Sequence, residues 1–422
     1  MKLDMSTWKI KASLFLNYFV FAILLNSVGT VILLVQKSFD VTKSQVAVLE
    51  PFKDMSIAIV SFLVTSYITR IGYKRAMLIA LGFITLVCFI MPFTNSLIMV
   101  ELLFAAIGSS FALIKMSAFG SIGLVTKDEK EHISFMNFLE AFFGVGIVVS
   151  YFIFPLFIDK NNEASRSWLQ VYYLLGGISL VAFILLLLSP LDESASKVPA
   201  SENFASEFLK MFTLLAYPLV IIFVLCAFFY VLLEQSIMSW LPTFNNDVLK
   251  LNQVLSIQMA SILAASIALG RFLAGIVLKK LNWLVVLITC LVLAGGLVYF
   301  AMPAIQKFID GYKGNGITQL KDVPIIAFVF PLIGLLLAPI YPAINSVILS
   351  SLPKPQHGLM AGLIILFSAL GGSTGSLITG NIFEHYGGKT AFYFSLIPIA
   401  ILIISLFVFS RLHNKAKAAA NV

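Results

Sequence analysis

Eight ionisable side chains stand inside long apolar runs of this sequence: Glu50, Lys53, Asp54, Glu101, Lys115, Glu140, Glu234 and Arg271. In hydrocarbon each would cost several kcal/mol unless paired or wetted, so each is a candidate for binding or carrying charge. Glu50, Lys53 and Asp54 fall at i, i+3 and i+4, on one helix face. An intrahelical pair of Glu50 with Lys53 stabilises such a stripe and leaves one acid for a cation, a proton or a hydroxyl. Lys115 and Glu140 lie on consecutive runs at similar depths, roughly 15 and 11 Å from one membrane face at ~1.5 Å per residue. A salt bridge in a cavity wall is expected there. It has two uses: the pair parts and Glu140 carries a coupling proton, or Lys115 meets a carboxylate on an acidic solute. All four histidines are expected in loops or the tail, which leaves carboxylates as the proton carriers.

Replacing a polar solute's hydration shell takes amides, hydroxyls and rings. Asn26, Asn137, Gln235, Trp240, Tyr341 and Asn345 offer these inside apolar runs. The alternative for each is an ordinary helix–helix hydrogen bond or an interface aromatic. Glu234, within two turns of Pro242, is expected near the outer end of its run, as a cavity or gate residue or as an acid at headgroup level. Arg271, in GRFLAG about two turns from the cytoplasmic end of its run, is either a helix cap or inter-helix partner, or a solute ligand. Enzyme chemistry finds no support, because no HExxH or paired His/Asp set occurs in the runs. No catalytic residue, metal ligand or cofactor is therefore assigned. Cys88, Cys226 and Cys290 all sit in apolar runs, as buried thiols do, without disulfide or zinc spacing.

The elements that must carry these residues follow from composition. Hydrophobic residues make up 60% of the 422 positions and charged ones 11%, against about 25% charged in soluble domains. The sequence divides into twelve runs long enough to span a membrane, near 12–36, 44–69, 76–93, 96–125, 133–158, 168–189, 211–240, 253–278, 283–303, 324–351, 358–382 and 388–410. The fold class expected is an all-α polytopic membrane protein of two pseudo-symmetric six-helix bundles, residues 1–189 and 211–422, joined by a polar cytoplasmic linker, 190–210. A short interfacial helix is plausible in its second half, where Phe204, Phe208 and Met211 stand at helical spacing. Basic turns follow the second run (RIGYKR, 70–75) and the eighth (KKLNW, 279–283), an internal echo that puts a solute site between the halves. The net charge of +8 lies in short loops and favours both termini inside, in a bacterial-type cytoplasmic membrane. No basic face with interleaved aromatics calls for nucleic acid.

Segment 65–75 (TSYITRIGYKR) resembles the signature loop of the major facilitator superfamily, with Arg70, Gly72, Lys74 and Arg75 in place and Thr69 where an Asp is usual. YVLLEQSIMSWLPTF (230–244), ALGRFLAG (268–275), PIYPAINSVILSSL (339–352) and GLIILFSALGGSTGSLITG (362–380) are similar to the fucose and glucose/galactose permease branch. The resemblance implies a monomeric secondary transporter that moves a small polar solute, sugar or sugar-like, neutral or acidic, by alternating access. It implies uptake coupled to a cation, a proton in preference to Na⁺, with lipid and solute as the only partners. The acids that such relatives carry on the first and fourth spans are missing here, and Lys115 stands where the second would be. The fifth span lacks the Gly-Pro pattern of drug antiporters, since Gly144, Gly146 and Pro155 do not make it. Export of drugs, lipids or organic anions on the same fold is the competing expectation.

Overall fold

The computed structural model describes residues 5–65, 68–126, 129–193, 211–278, 280–312, 314, 316–352 and 356–420. The interfacial helix expected in the linker lies outside these residues, as do the side chains of Thr69, Arg70, Asn137 and Glu140.

Helices dominate because runs this apolar must satisfy every backbone group within themselves. The first nine are α1 (Met5–Asn26), α2 (Val28–Phe39), α3 (Lys43–Val46), α4 (Leu49–Thr65), α5 (Ile68–Ile71), α6 (Tyr73–Ile90), α7 (Leu97–Val125), α8 (Glu129–Ile153) and α9 (Val171–Leu188). After the linker come α10 (Pro218–Met238), α11 (Leu241–Asp247), α12 (Gln253–Val277), α13 (Trp283–Gly311), α14 (Val329–Leu337), α15 (Ile340–Ser350), α16 (His357–Tyr393) and α17 (Leu396–Ala420). Ten helices among the described residues are long and apolar enough to cross a membrane. With α4 and α8, whose apolar stretches are shorter or interrupted by charge, they make the twelve spans of two six-span halves. Large apolar side chains such as Phe93, Leu156, Phe272 and Phe300 point outward, as a lipid solvent allows.

Several breaks were not visible in hydropathy. The first span is interrupted at Ser27, whose hydroxyl donates to the carbonyl of Leu24 at 2.8 Å. The seventh continues past Pro242 to Asp247, because a proline in the first turn of α11 needs no N–H partner there. The eleventh was expected to end at 382, but α16 runs on to Tyr393 with a bend at Gly387, whose φ of 81° is open to glycine. Residues 388–393, expected to open the twelfth span, therefore close the eleventh. All four histidines, expected in loops or the tail, stand on helices: His132 on α8, His357 and His385 on α16, and His413 on α17.

The chain clusters into two compact units. In the first, α1 packs on α7, α8 and α9, and α6 on α7 and α9. In the second, α10 packs on α16 and α17, α12 on α14, and α13 on α14 and α17. Equivalent spans meet in both units, as a repeated fold requires. The basic turn after α4 is set by Gly72, whose φ of 89° starts α6. Glu193 accepts the backbone N–H of Lys74 at 2.6 Å, and the Lys74 ammonium donates to the carbonyls of Leu187 and Ser189 beyond α9. An acid thus meets a helix N-terminus and a cation a helix C-terminus, where the helix dipoles favour them.

Residues Val41–Pro51 lie between the first two spans in sequence, yet they cluster with the second unit. Thr42 and Gln45 form a capping box that starts α3. Lys43 pairs with Asp247 at 2.9 Å. The Ser44 amide donates to Glu384 at 2.7 Å, and the Ser44 hydroxyl to Asn381 at 3.2 Å. Glu50, fully buried, accepts from the Ser239 hydroxyl at 3.0 Å.

Candidate functional site

The second unit gathers the most chemistry. Tyr230 and Glu234 stand one turn apart on α10, and the phenol donates to the Glu234 carboxylate at 2.9 Å. Arg271 on α12 approaches the same carboxylate oxygen at 3.8 Å. Tyr341 on α15 stacks on Tyr230 with ring centroids 5.5 Å apart, shares a 2.8 Å hydrogen bond with Ser368 on α16, and bonds Asn345 one turn away. The amide oxygen of Asn345 is buried without a hydrogen-bond partner among the described residues. Four sequence-predicted residues, Glu234, Arg271, Tyr341 and Asn345, thus converge from three helices.

Glu234 is 16% exposed and stands four residues before Met238, the last residue of α10. Trp240 is fully buried at a helix interface, where its indole donates to Ser376 at 3.2 Å and packs on Phe383. Gln235 is half-buried beside Glu234.

The first unit presents its candidates separately. Lys53 and Asp54 are buried and paired at 3.5 Å on α4, where the backbone carbonyl of Lys53 leaves room on α7 for nothing larger than Gly108. Asn26 donates to the carbonyl of Ala22 at 2.9 Å, next to the Ser27 break. Lys115 is exposed on α7, its ammonium 5.8 Å from the ring centres of both Phe111 and Phe119 one turn to either side. Tyr18 and Phe143 complete this aromatic group. Asn137 and Glu140 stand on α8, but the expected bridge between Glu140 and Lys115 lies outside the described side chains.

Tyr230 and Ser368 were missed from the sequence. Tyr230 carried a usable signal, a phenol four residues before an intramembrane acid. Ser368 had none, because its role depends on how α15 and α16 pack. Among the described residues no cluster of His, Cys, Asp and Glu could hold a metal ion.

Apolar spans in two repeated halves, with a few ionisable residues turned into one bundle, define the architecture of a membrane transporter. The sequence profile of the Major Facilitator Superfamily matches residues 14–317, and the chain belongs to that family. Solved structures agree on the fold. A bacterial homolog to human lysosomal transporter Spinster, inward-facing and unoccupied, is similar at 14% identity with a TM-score of 0.74, covering 99% of both chains. The nucleoside transporter NupG is similar at 14% identity and a TM-score of 0.70, covering 98% of this chain and 99% of that one. The transporter FucP in its outward conformation shares 15% identity and a TM-score of 0.59, over 96% and 99%. No curated protein matched in sequence.

Proposed function

We propose that this chain takes up a small polar solute, sugar or sugar-like, neutral or acidic, together with a proton, by alternating access across a bacterial-type cytoplasmic membrane with both termini inside. One observation carries this reading: Glu234, Arg271, Tyr341 and Asn345 come from three helices to one polar cluster inside an otherwise apolar bundle. Maintaining such a cluster costs stability, so it has to serve the solute or the coupling ion. Glu234 carries the proton, with Arg271 as the counter-charge that sets when it is taken and released. Asn345 and Tyr341 supply hydrogen bonds to the solute, and Gln235 extends the polar lining. The similarity of segments 230–244, 268–275, 339–352 and 362–380 to the fucose and glucose/galactose permease branch supports a sugar-like solute.

The test is uptake into proteoliposomes of a panel of neutral sugars, acidic sugars and nucleosides, with and without an inward proton gradient. At least one member should accumulate when the outside is made acidic, and E234Q should lose that accumulation. Accumulation driven equally well in E234Q, or movement only outward, would defeat the proposal.

A further inference from the structure

A cavity of about 330 Å³ opens beside Arg271 in the second unit. Its walls are mainly apolar: Trp283 from the first turn of α13, and Pro342, Ala343 and Val347 from one face of α15. Arg271 is the charged residue of the lining and Ser346 adds a hydroxyl. The volume is at the lower end for small-molecule sites, which run from roughly 300 to 1,000 Å³. The guanidinium is half exposed, and its contact with Glu234, at 3.8 Å, is longer than a hydrogen bond. A guanidinium carries five N–H donors in a planar fork that matches a carboxylate, and this single long contact leaves most of them to a ligand.

We propose that the cavity binds the carboxylate of a small organic monoanion and that this anion takes Arg271 away from Glu234, which then accepts a proton. The inference rests on the transporter reading above: it keeps the Arg271–Glu234 pair and adds a solute class held by the cavity beside Arg271, which Tyr341 and Asn345 do not line. The anionic head meets Arg271 and Ser346, and the apolar body lies against Trp283 and the α15 face. Charge balances at each step. Before binding, Arg271 and Glu234 neutralise each other. Afterwards the anion neutralises Arg271, and a proton from water neutralises Glu234, so anion and proton enter together with no net charge. Among the described residues, the titratable or charged groups facing Glu234 are Tyr230 on its own helix, Arg271 on α12 and, through Tyr230, Tyr341 on α15. None of these is an acid that would compete for the proton.

Depth selects a soluble anion over a lipid. Arg271 stands six residues before Val277, the last residue of α12, so about 9 Å of helix separates it from that end. A phospholipid would have to drag its headgroup that far into the hydrocarbon layer, whereas a small carboxylate can enter head first.

The experiment is calorimetric titration of the purified full-length protein with butyrate, benzoate and galacturonate, and with benzamide as the uncharged counterpart of benzoate. Running it in two buffers of different ionisation enthalpy counts protons. At least one anion should bind, benzamide should not, and about one proton should be taken up per anion. R271Q should weaken binding at least tenfold and R271K less, each with an unchanged gel-filtration profile. E234Q should keep binding and lose the proton uptake. Binding equal in wild type and R271Q, proton uptake unchanged in E234Q, no binding by any of the three anions, or displacement of the anion by phosphatidylglycerol would each overturn the proposal. Uptake of a neutral sugar with no anion binding would sink this inference alone and leave the transporter reading intact.

Discussion

At the scale of single residues, the Glu234–Arg271 contact makes a prediction that separates charge from shape. Removing one partner leaves an uncompensated charge against an apolar wall, whereas removing both leaves two neutral amides. R271Q and E234Q should each lower the unfolding midpoint, and the double variant should recover part of the loss. Because Arg271 is 52% exposed, the coupling should be modest, about 1 kcal/mol. Strict additivity in a denaturation series would show that the two charges ignore each other. The thiols give a second prediction at this scale. Cys88 and Cys226 are buried and unpaired with each other or with any cysteine, so a membrane-permeant maleimide should label them only after unfolding.

At the scale of elements, close helix approach depends on glycines that have no space for a Cβ. Gly371 and Gly375 on α16 press against the backbone carbonyls of Phe228 and Leu232 on α10, and Gly380 against Trp240 and Ala47. Packing is therefore what these glycines serve in this structure. Gly375→Val should cost at least 1–3 kcal/mol, since backbone cannot step aside as a side chain can. Gly177→Ala on α9, where nothing lies within 4 Å, should be neutral or stabilising by ~0.5–1 kcal/mol, because alanine favours the helix. Thermal unfolding of the two variants in one detergent checks both signs, and equal effects would refute the packing argument. The first-span break at Ser27 and the bend at Gly387 belong to this scale too. Hydropathy averages over a window and passes across both.

At the scale of the whole molecule, the distribution of basic residues predicts that both termini and the 190–210 linker face the cytoplasm. Single cysteines placed in the two tails and the linker, in a background without the native thiols, should react with an impermeant reagent only in inverted vesicles. Labelling from the outside of intact cells would reverse the topology and, with it, the sense of transport. Segment Val41–Pro51 extends the argument to the chain's own connectivity, for it is fastened to residues roughly two hundred or more positions away. Lys43 and Asp247 are each about a quarter exposed. Their coupling in a double-mutant cycle should fall in the range of about 0.2–1 kcal/mol and shrink as salt is raised.

Spanning helices were legible in the sequence because bilayer thickness imposes a length and an apolar composition on each one, and neither depends on its neighbours. The two-half organisation was legible for the same reason, through the polar linker and the repeated basic turns. Intramembrane charge also announced Glu234 and Arg271 as residues with a task, since hydrocarbon penalises them wherever they stand. Their pairing was decided only by the tertiary structure. It depends on the packing that brings α10, α12 and α15 together, which does not follow from counting residues along one chain. Ser368 beside Tyr341, Glu50 beside Ser239 and the cavity at Arg271 have the same origin: side chains remote in sequence meet where helices touch, and local pattern holds no record of which faces those are.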